Sequence, residues 1–349
     1  MKKVFVMAYL RKNFGDDLFL KMLLEKYKDI DFYIKSDKYE FVDILDKYDN
    51  LHVLYGKDTD EELYNLDVNE YDAYVYIGGS IFMEGGFCYN LSEKFYDFVK
   101  RCRENNKPFC YISCNYGSYQ TQEYLELSKK DFKECTDICF RDLYSYNLFS
   151  DIETARYAPD FAFSYNTPKV EKQKDTVGIT VININIRDDL KNKNDEYMKF
   201  LERNIKNYIS LGKDVFLFSF CKYEGDENTI EAILKMFPKE SHLHVVKYEG
   251  DIDKFLKQYN LMEYMICARF HAMILSSIAM QKIYVMSYSK KIDRVIEDLD
   301  LALPVLHLNE LKDNFDLSLE EFKSVDKEKI QRISKDAEKQ DEAIRKYII

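Results

Sequence analysis

Tryptophan is absent from the 349 residues, and proline and glycine are scarce enough that no Pro/Gly/Ser-rich tract forms. No Gln/Asn-rich tract occurs either. The excess of Lys, Asn, Ile, Tyr and Phe reads as coding bias and says little about chemistry. No apolar run approaches the ~18 residues of a membrane span. The opening apolar run, residues 1–9, is too short for a secretory signal and lacks a small-residue cleavage pattern. No Cys-x-x-Cys pair occurs among the eight cysteines. Cys110/Cys114 and Cys135/Cys139 are not joined by suitably spaced histidines, so reduced buried thiols are expected rather than zinc. No long basic run offsets the formal net charge of −11, which argues against nucleic acid as a partner. The same charge means that an anionic ligand needs a local basic pocket. Neither Gly-x-Gly-x-x-Gly nor the P-loop pattern is present. The expected location is the cytoplasm.

What is present is a regular alternation of strand-like and helix-like runs. Strands are expected at residues 3–8, 31–34, 51–54, 73–77, 109–113 and 138–140, then, after a polar stretch at 166–175, at 176–182, 215–218, 243–246, 264–267, 283–287 and 304–306. Six β/α steps on each side of a linker predict an α/β fold of two doubly wound Rossmann-like domains facing a central cleft. The expected boundaries are 1–165 for the first domain, 166–175 for the linker and 176–317 for the second domain. A charged helical segment, 318–349, would fold back on the first domain or cover the hinge.

The organising stretch is Ala268-Arg269-Phe270-His271-Ala272, with Lys290-Lys291 downstream. A short buried-strand pattern precedes it, an apolar helix from His271 to Met280 follows, and a second strand pattern closes the unit. Strand, helix and strand at this length form a βαβ unit with two parallel neighbours. Arg269 and His271 then leave one strand's carboxyl end, and Lys290 and Lys291 leave the next. Open parallel sheets bind ligands along that rim, and a helix N-terminus there favours anions. An anionic substrate is the expected ligand.

Other strand ends carry further candidates. In the first loop, Asn13-Phe14-Gly15-Asp16-Asp17, Gly15 would permit a tight turn and Asp16 or Asp17 would cap the helix. An acid there can also accept sugar hydroxyls or act as a base. Gly78-Gly79-Ser80, with Gly85-Gly86 after it, is either a plain turn or a loop where the backbone lines a substrate. Arg141 ends a strand, paired with Asp142 or another surface acid or else gripping a carboxylate or phosphate; Ser145 would cap the next helix. The loops 183–187 and 219–226 have weaker claims. His52, His242, His244 and His307 read as structural residues without partners.

Together these pieces resemble the polysaccharide pyruvyl transferase family. The match includes Asn13 to Asp16, Gly78-Gly79-Ser80, Arg141-Asp142 with Ser145, Pro159-Asp160, the stretch from Tyr248 to Tyr259, Ala268 to Ala272, and Ser287-Tyr288 with Lys291. It spans roughly residues 3 to 300 in the family's order. The resemblance implies a glycosyltransferase-B-like fold and transfer of pyruvate from phosphoenolpyruvate onto two sugar hydroxyls as a cyclic ketal. It places Arg141, His271 and Lys291 among the phosphoenolpyruvate contacts, to which the residues above add Arg269. Asp16 and His271 are then the catalytic candidates, and Asn13, Gly15, Asp17, Gly78, Gly79 and Ser80 line the acceptor side. Two departures stand out: Asp17 where many members carry Glu, and 183–187 in place of a short Arg-Pro-like turn. The scheme calls for no metal and no cofactor beyond the donor substrate. A lipid-linked acceptor would bring the protein to the inner face of the membrane. The alternatives are a nucleotide-sugar-dependent glycosyltransferase of the same fold and an inactive glycan-binding relative.

Overall fold

The computed structural model describes residues 1–56, 64–85, 91–312 and 315–349; Gly86 lies outside them. The chain divides into two compact units. The first contains Met1–Leu10, Asp16–Tyr165 and Ile333–Ile349, and the second contains Arg11–Gly15 and Asn166–Arg332.

The first unit is built on a seven-stranded sheet of β1 (Lys2–Met7), β2 (Ile30–Ser36), β3 (Leu51–Tyr55), β4 (Ala73–Ile77), β5 (Phe109–Cys114), β6 (Asp137–Phe140) and β7 (Ala155–Tyr157). Its order is β3-β2-β1-β4-β5-β6-β7, and every neighbouring pair is parallel. Six of these strands were expected. The seventh, β7, is a half-buried strand of three residues, too short to show an alternating pattern. The helices are α1 (Phe14–Lys26), α2 (Glu93–Glu104), α3 (Gln122–Glu134) and α4 (Leu143–Leu148). β4 and β5 are buried along their whole length, as parallel strands covered on both faces must be. Their core is aromatic: Tyr74, Tyr76, Phe95, Phe98, Phe109, Tyr111 and Phe132 are all buried in one cluster. Tyr74 meets Phe98 edge-on at 5.2 Å between centroids, a preferred geometry for such rings.

The second unit carries β8 (Gln173–Thr180), β9 (Asp214–Ser219), β10 (Leu243–Lys247), β11 (Met262–Cys267), β12 (Lys282–Ser287) and β13 (Val305–His307). All neighbours are parallel, in the order β10-β9-β8-β11-β12-β13. β8 starts at Gln173, so the end of the polar stretch 166–175 is already strand. The helices are α5 (Asn194–Ser210), α6 (Asp226–Met236), α7 (Ile252–Tyr259), α8 (Phe270–Ile278) and α9 (Lys290–Asp298); α10 (Lys327–Ala337) begins in this unit, and its residues from Ile333 on belong to the first.

Both sheets reverse direction of winding beside their first strand, between β1 and β4 and between β8 and β11. At such a switch point the crossovers leave on opposite sides and open a crevice at the strands' carboxyl ends. In the first unit, the loop beginning with Gly78 leaves β4 there. In the second, Ala268 and Arg269 leave β11. Among the described residues no helix is long and apolar enough to cross a membrane. The other histidines do have partners: His52 bonds Asp31 at 3.0 Å, His242 and His244 share Asp214, and His307 lies 3.7 Å from Asp293. These acids come from other strands or helices, and sequence spacing does not reveal them.

Candidate functional site

In the second unit, β11 ends at Cys267 and α8 begins at Phe270, which leaves two residues for the turn. Thr180 at the end of β8 fixes it: the hydroxyl accepts from the Ala268 amide at 2.7 Å and donates to the Ile266 carbonyl at 3.3 Å. α8 is largely apolar and buried, and its two buried serines are satisfied, Ser276 by the Tyr259 hydroxyl and Ser277 by the Met273 carbonyl. Tyr259 anchors it through the Ala272 carbonyl at 2.9 Å. The polar residues at its start, Arg269 and His271, are therefore left at the rim.

The segment Arg11–Gly15 packs against the loop after β9. Lys12 makes the left-handed turn, with φ 46°. Asn13 caps α1 by accepting from the Gly15 amide at 3.1 Å, and its amide donates to Glu224 Oε1 at 2.7 Å. The Phe14 amide donates to the Phe220 carbonyl at 3.0 Å, and the Phe14 ring packs among Phe220, Tyr248 and Phe255. A Cβ placed on Gly15 would fall within the imidazole of His271. Two expectations are corrected here. The turn is made by Lys12, and the cap is Asn13, because only a residue preceding the helix can reach its free amides. Asp16 and Asp17 lie inside the first turn.

Arg269 donates through its two terminal nitrogens to Glu224 and Asp226. Asp226 is fully buried and also accepts from the Phe220 and Cys221 amides at 2.9 and 3.0 Å. Burial opposes the charged form of Glu224, but Arg269, Asn13 and Lys291 outweigh it and hold this carboxyl below its ordinary value. Burial prevails at Asp226 and raises it in spite of Arg269. The rim is thus not a bare cationic patch, since Arg269 is matched by two acids. Its Nε is buried and meets no acceptor among the described residues. Lys290 is exposed. Lys291 lies over the rings of Phe270 and Tyr288, at 5.8 and 5.4 Å, and Arg187 lies 5.0 Å from the centre of the same Tyr288 ring.

The first unit has its own cluster. Arg141 follows β6, is 3% exposed, and donates to Asp160 Oδ2 at 2.9 Å and from Nε to Asn115 Oδ1 at 3.1 Å. The acid that pairs with it is therefore buried Asp160, neither Asp142 nor a surface group. Ser80 donates to the same Asn115 oxygen at 3.2 Å, and the Asn115 amide donates to the Gly79 carbonyl at 2.7 Å. A Cβ on Gly79 would collide with the Arg141 guanidinium. At Gly15 and Gly79 alike, the room left by the missing side chain is filled by a protein side chain. Asp16 Oδ1 stands 3.7 Å from where a Cβ on Gly78 would lie. Asp17 is 1% exposed. Asp142, not Ser145, caps α4: it accepts from the Ser145 amide at 2.8 Å, while the Ser145 hydroxyl accepts from the Tyr116 amide at 2.7 Å.

Arg269, His271 and Lys291 thus lie in the second unit with Asn13 and Gly15, and Arg141 lies in the first with Asp16, Asp17, Gly78, Gly79 and Ser80. Sequence reasoning passed over Asn115, and it ranked the loop holding Glu224 and Asp226 low. Asn115 was detectable as the first polar side chain beyond a fully buried strand. The two acids carry no such mark.

No curated protein matches the chain. Its fold is similar to that of a putative UDP-N-acetylglucosamine 2-epimerase from Listeria monocytogenes, at TM-score 0.62 and 11% identity over 99% of this chain and 95% of that one. It is also similar to the UDP-GlcNAc 2-epimerase from Neisseria meningitidis bound to UDP-GlcNAc, at TM-score 0.57 and 8% identity over 99% and 100% of the two chains. At such identities the likeness concerns the fold, two Rossmann-like domains of glycosyltransferase-B type. The model of the polysaccharide pyruvyl transferase family matches residues 13–290, from the Asn13 cap to the start of α9. The chain belongs to the polysaccharide pyruvyl transferase family.

Proposed function

We propose that the chain moves pyruvate from phosphoenolpyruvate onto two hydroxyls of a sugar in a cell-surface polysaccharide or its precursor. The product is a cyclic ketal, and phosphate is released. The observation that carries this reading is the seat of His271: an imidazole at the start of α8, lodged against Gly15, with Lys291 over the adjoining Phe270 ring.

The first sugar oxygen bonds to the central carbon of the donor while a proton goes to the methylene carbon, which becomes a methyl group. His271 is the proton donor in this step, a contribution typically worth ~10²–10⁴-fold in rate. The second sugar oxygen then bonds to the same carbon, and the carbon–oxygen bond to phosphate breaks with its electron pair leaving on phosphate. Fixed cations stabilise that leaving charge. Lys291 supplies a point charge, and Arg141, by the family resemblance, a fixed guanidinium charge, its nitrogens being held by Asp160 and Asn115. Arg269, its terminal nitrogens held by Glu224 and Asp226, adds its charge to the donor side rather than a free fork. Asp16 takes the proton of the first hydroxyl, which balances the one His271 gives to carbon, and the proton of the second hydroxyl goes to the departing phosphate. The steps balance without a metal or a further cofactor.

The test is release of inorganic phosphate from phosphoenolpyruvate by the purified protein with glycan acceptors from its host's surface-polysaccharide pathway. Release that depends on an acceptor is expected. No release with any of them, together with thermal stabilisation by uridine diphosphate and none by phosphoenolpyruvate, would overturn the proposal in favour of a nucleotide-sugar enzyme.

A further inference from the structure

Gln340 belongs to the C-terminal segment, roughly two hundred positions from the loops around Arg141, yet it is fully buried among them. Its side-chain oxygen accepts from the Ser113 amide at 2.8 Å. Its side-chain nitrogen donates to the carbonyls of Ala158 at 2.6 Å, Pro159 at 3.1 Å and Phe140 at 3.3 Å. Each of these groups lies within two residues of a member of the Arg141 cluster: Ser113 before Asn115, Phe140 before Arg141, Ala158 and Pro159 before Asp160.

Ser113 shows why such a clamp is needed. It holds φ 58°, a left-handed conformation that a serine adopts at a cost. The pairing of β5 with β6 shifts register at this point, between Ile112 and Cys114. An irregularity of this kind re-aims the residues that follow it, and the residue re-aimed is Asn115. The Ser113 hydroxyl also donates to Asp160 Oδ2 at 3.3 Å and accepts from the Phe161 amide at 2.9 Å. The segment that carries Gln340 is pinned beside it. Asp341, fully buried, accepts from Tyr27 at 2.8 Å and pairs with Arg345 at 2.7 Å. Arg156 donates to the Gln340 carbonyl at 3.0 Å.

We infer that Gln340 is a positioning residue for the Arg141 site: one amide side chain fixes the three strand-end loops that hold Asn115, Arg141 and Asp160 in register. This rests on the donor contact assigned to Arg141 under the proposed function.

The experiment measures the dissociation constant for phosphoenolpyruvate by calorimetry, and the melting temperature, for the full chain and three variants. Gln340→Ala removes the clamp. Gln340→Met removes it while keeping the side chain's length, and so retains packing if the alanine variant does not fold. Arg345→Ala loosens the same segment without touching the loops. The expected result is affinity weakened by about 10- to 100-fold in the Gln340 variants, the scale of a misplaced binding group. Arg345→Ala should melt earlier with its affinity unchanged. Wild-type binding that the folded Gln340 variants retain in full would overturn the inference while leaving the proposed function intact. Absence of binding by the wild-type chain itself would overturn the donor assignment, and the inference with it.

Discussion

The imidazole of His271 occupies the volume that a side chain at Gly15 would need. Gly15 lies within the first turn of α1, where alanine would ordinarily be the better helix former by about 1 kcal/mol. The site therefore withholds a locally favourable residue to leave room for a ring that sequence separation puts far away.

Gly15→Ala is accordingly expected to displace the imidazole and reduce turnover by about 100-fold. Its overpacking should cost about 1–3 kcal/mol. Adding His271→Ala should recover that stability and restore no activity. Denaturant unfolding and phosphate release check both halves, and a Gly15→Ala protein of undiminished activity would disprove the packing argument.

Arg141 and Asp160 form a buried pair, with side chains 2% and 0% exposed. Arg141→Ala strands the carboxylate and should cost about 3–5 kcal/mol. Asp160→Asn in the same background should return part of that loss, because no buried charge then remains unpaired. Urea midpoints of the single and double variants are the measurement.

Lys291 lies over the Phe270 and Tyr288 rings, and the proposed function gives it a donor contact. Its replacement by alanine should raise the KM for phosphoenolpyruvate by about 10- to 100-fold, the worth of one charged hydrogen bond. The effect should shrink as salt is added. A KM that does not move would remove Lys291 from the donor site.

Asp131 is fully buried and accepts from the Tyr111 hydroxyl. Burial, against the opposing Tyr111 hydrogen bond, pushes its carboxyl from 3.8 up to about 7. Between those values only the folded chain holds the proton. Stability therefore falls as pH rises through this window, by about 1.4 kcal/mol per pH unit for one full proton, and levels off above it. Asp131→Asn should remove that slope, gaining more stability at pH 8 than at pH 5. Thermal unfolding at the two pH values tests it, and an equal change at both would contradict the assignment.

The strands were legible in the residues because parallel strands buried on both faces read as short apolar runs, and all but β7 announced themselves that way. The strand-end positions of Gly78, Arg141, Arg269, His271 and Lys291 followed from the same pattern. The partners did not. Asp160 for Arg141, Glu224 and Asp226 for Arg269, and the four acceptors and donors of Gln340 come from loops that meet only when the sheets are assembled.

From the chain alone came the alternation of β and α, the Asn13-Phe14-Gly15-Asp16 and Ala268 to Ala272 pieces, and with them the family. Periodicity and short motifs are local, so they survive without the fold. Tertiary structure decided what each residue does: that Gly15 is a seat for a ring rather than a turn, that Asn13 caps α1, that Arg269 is neutralised, and that a glutamine near the C-terminus holds the Arg141 loops. Those roles depend on which side chains are brought within 3 Å of one another, and a one-dimensional spacing does not contain that distance.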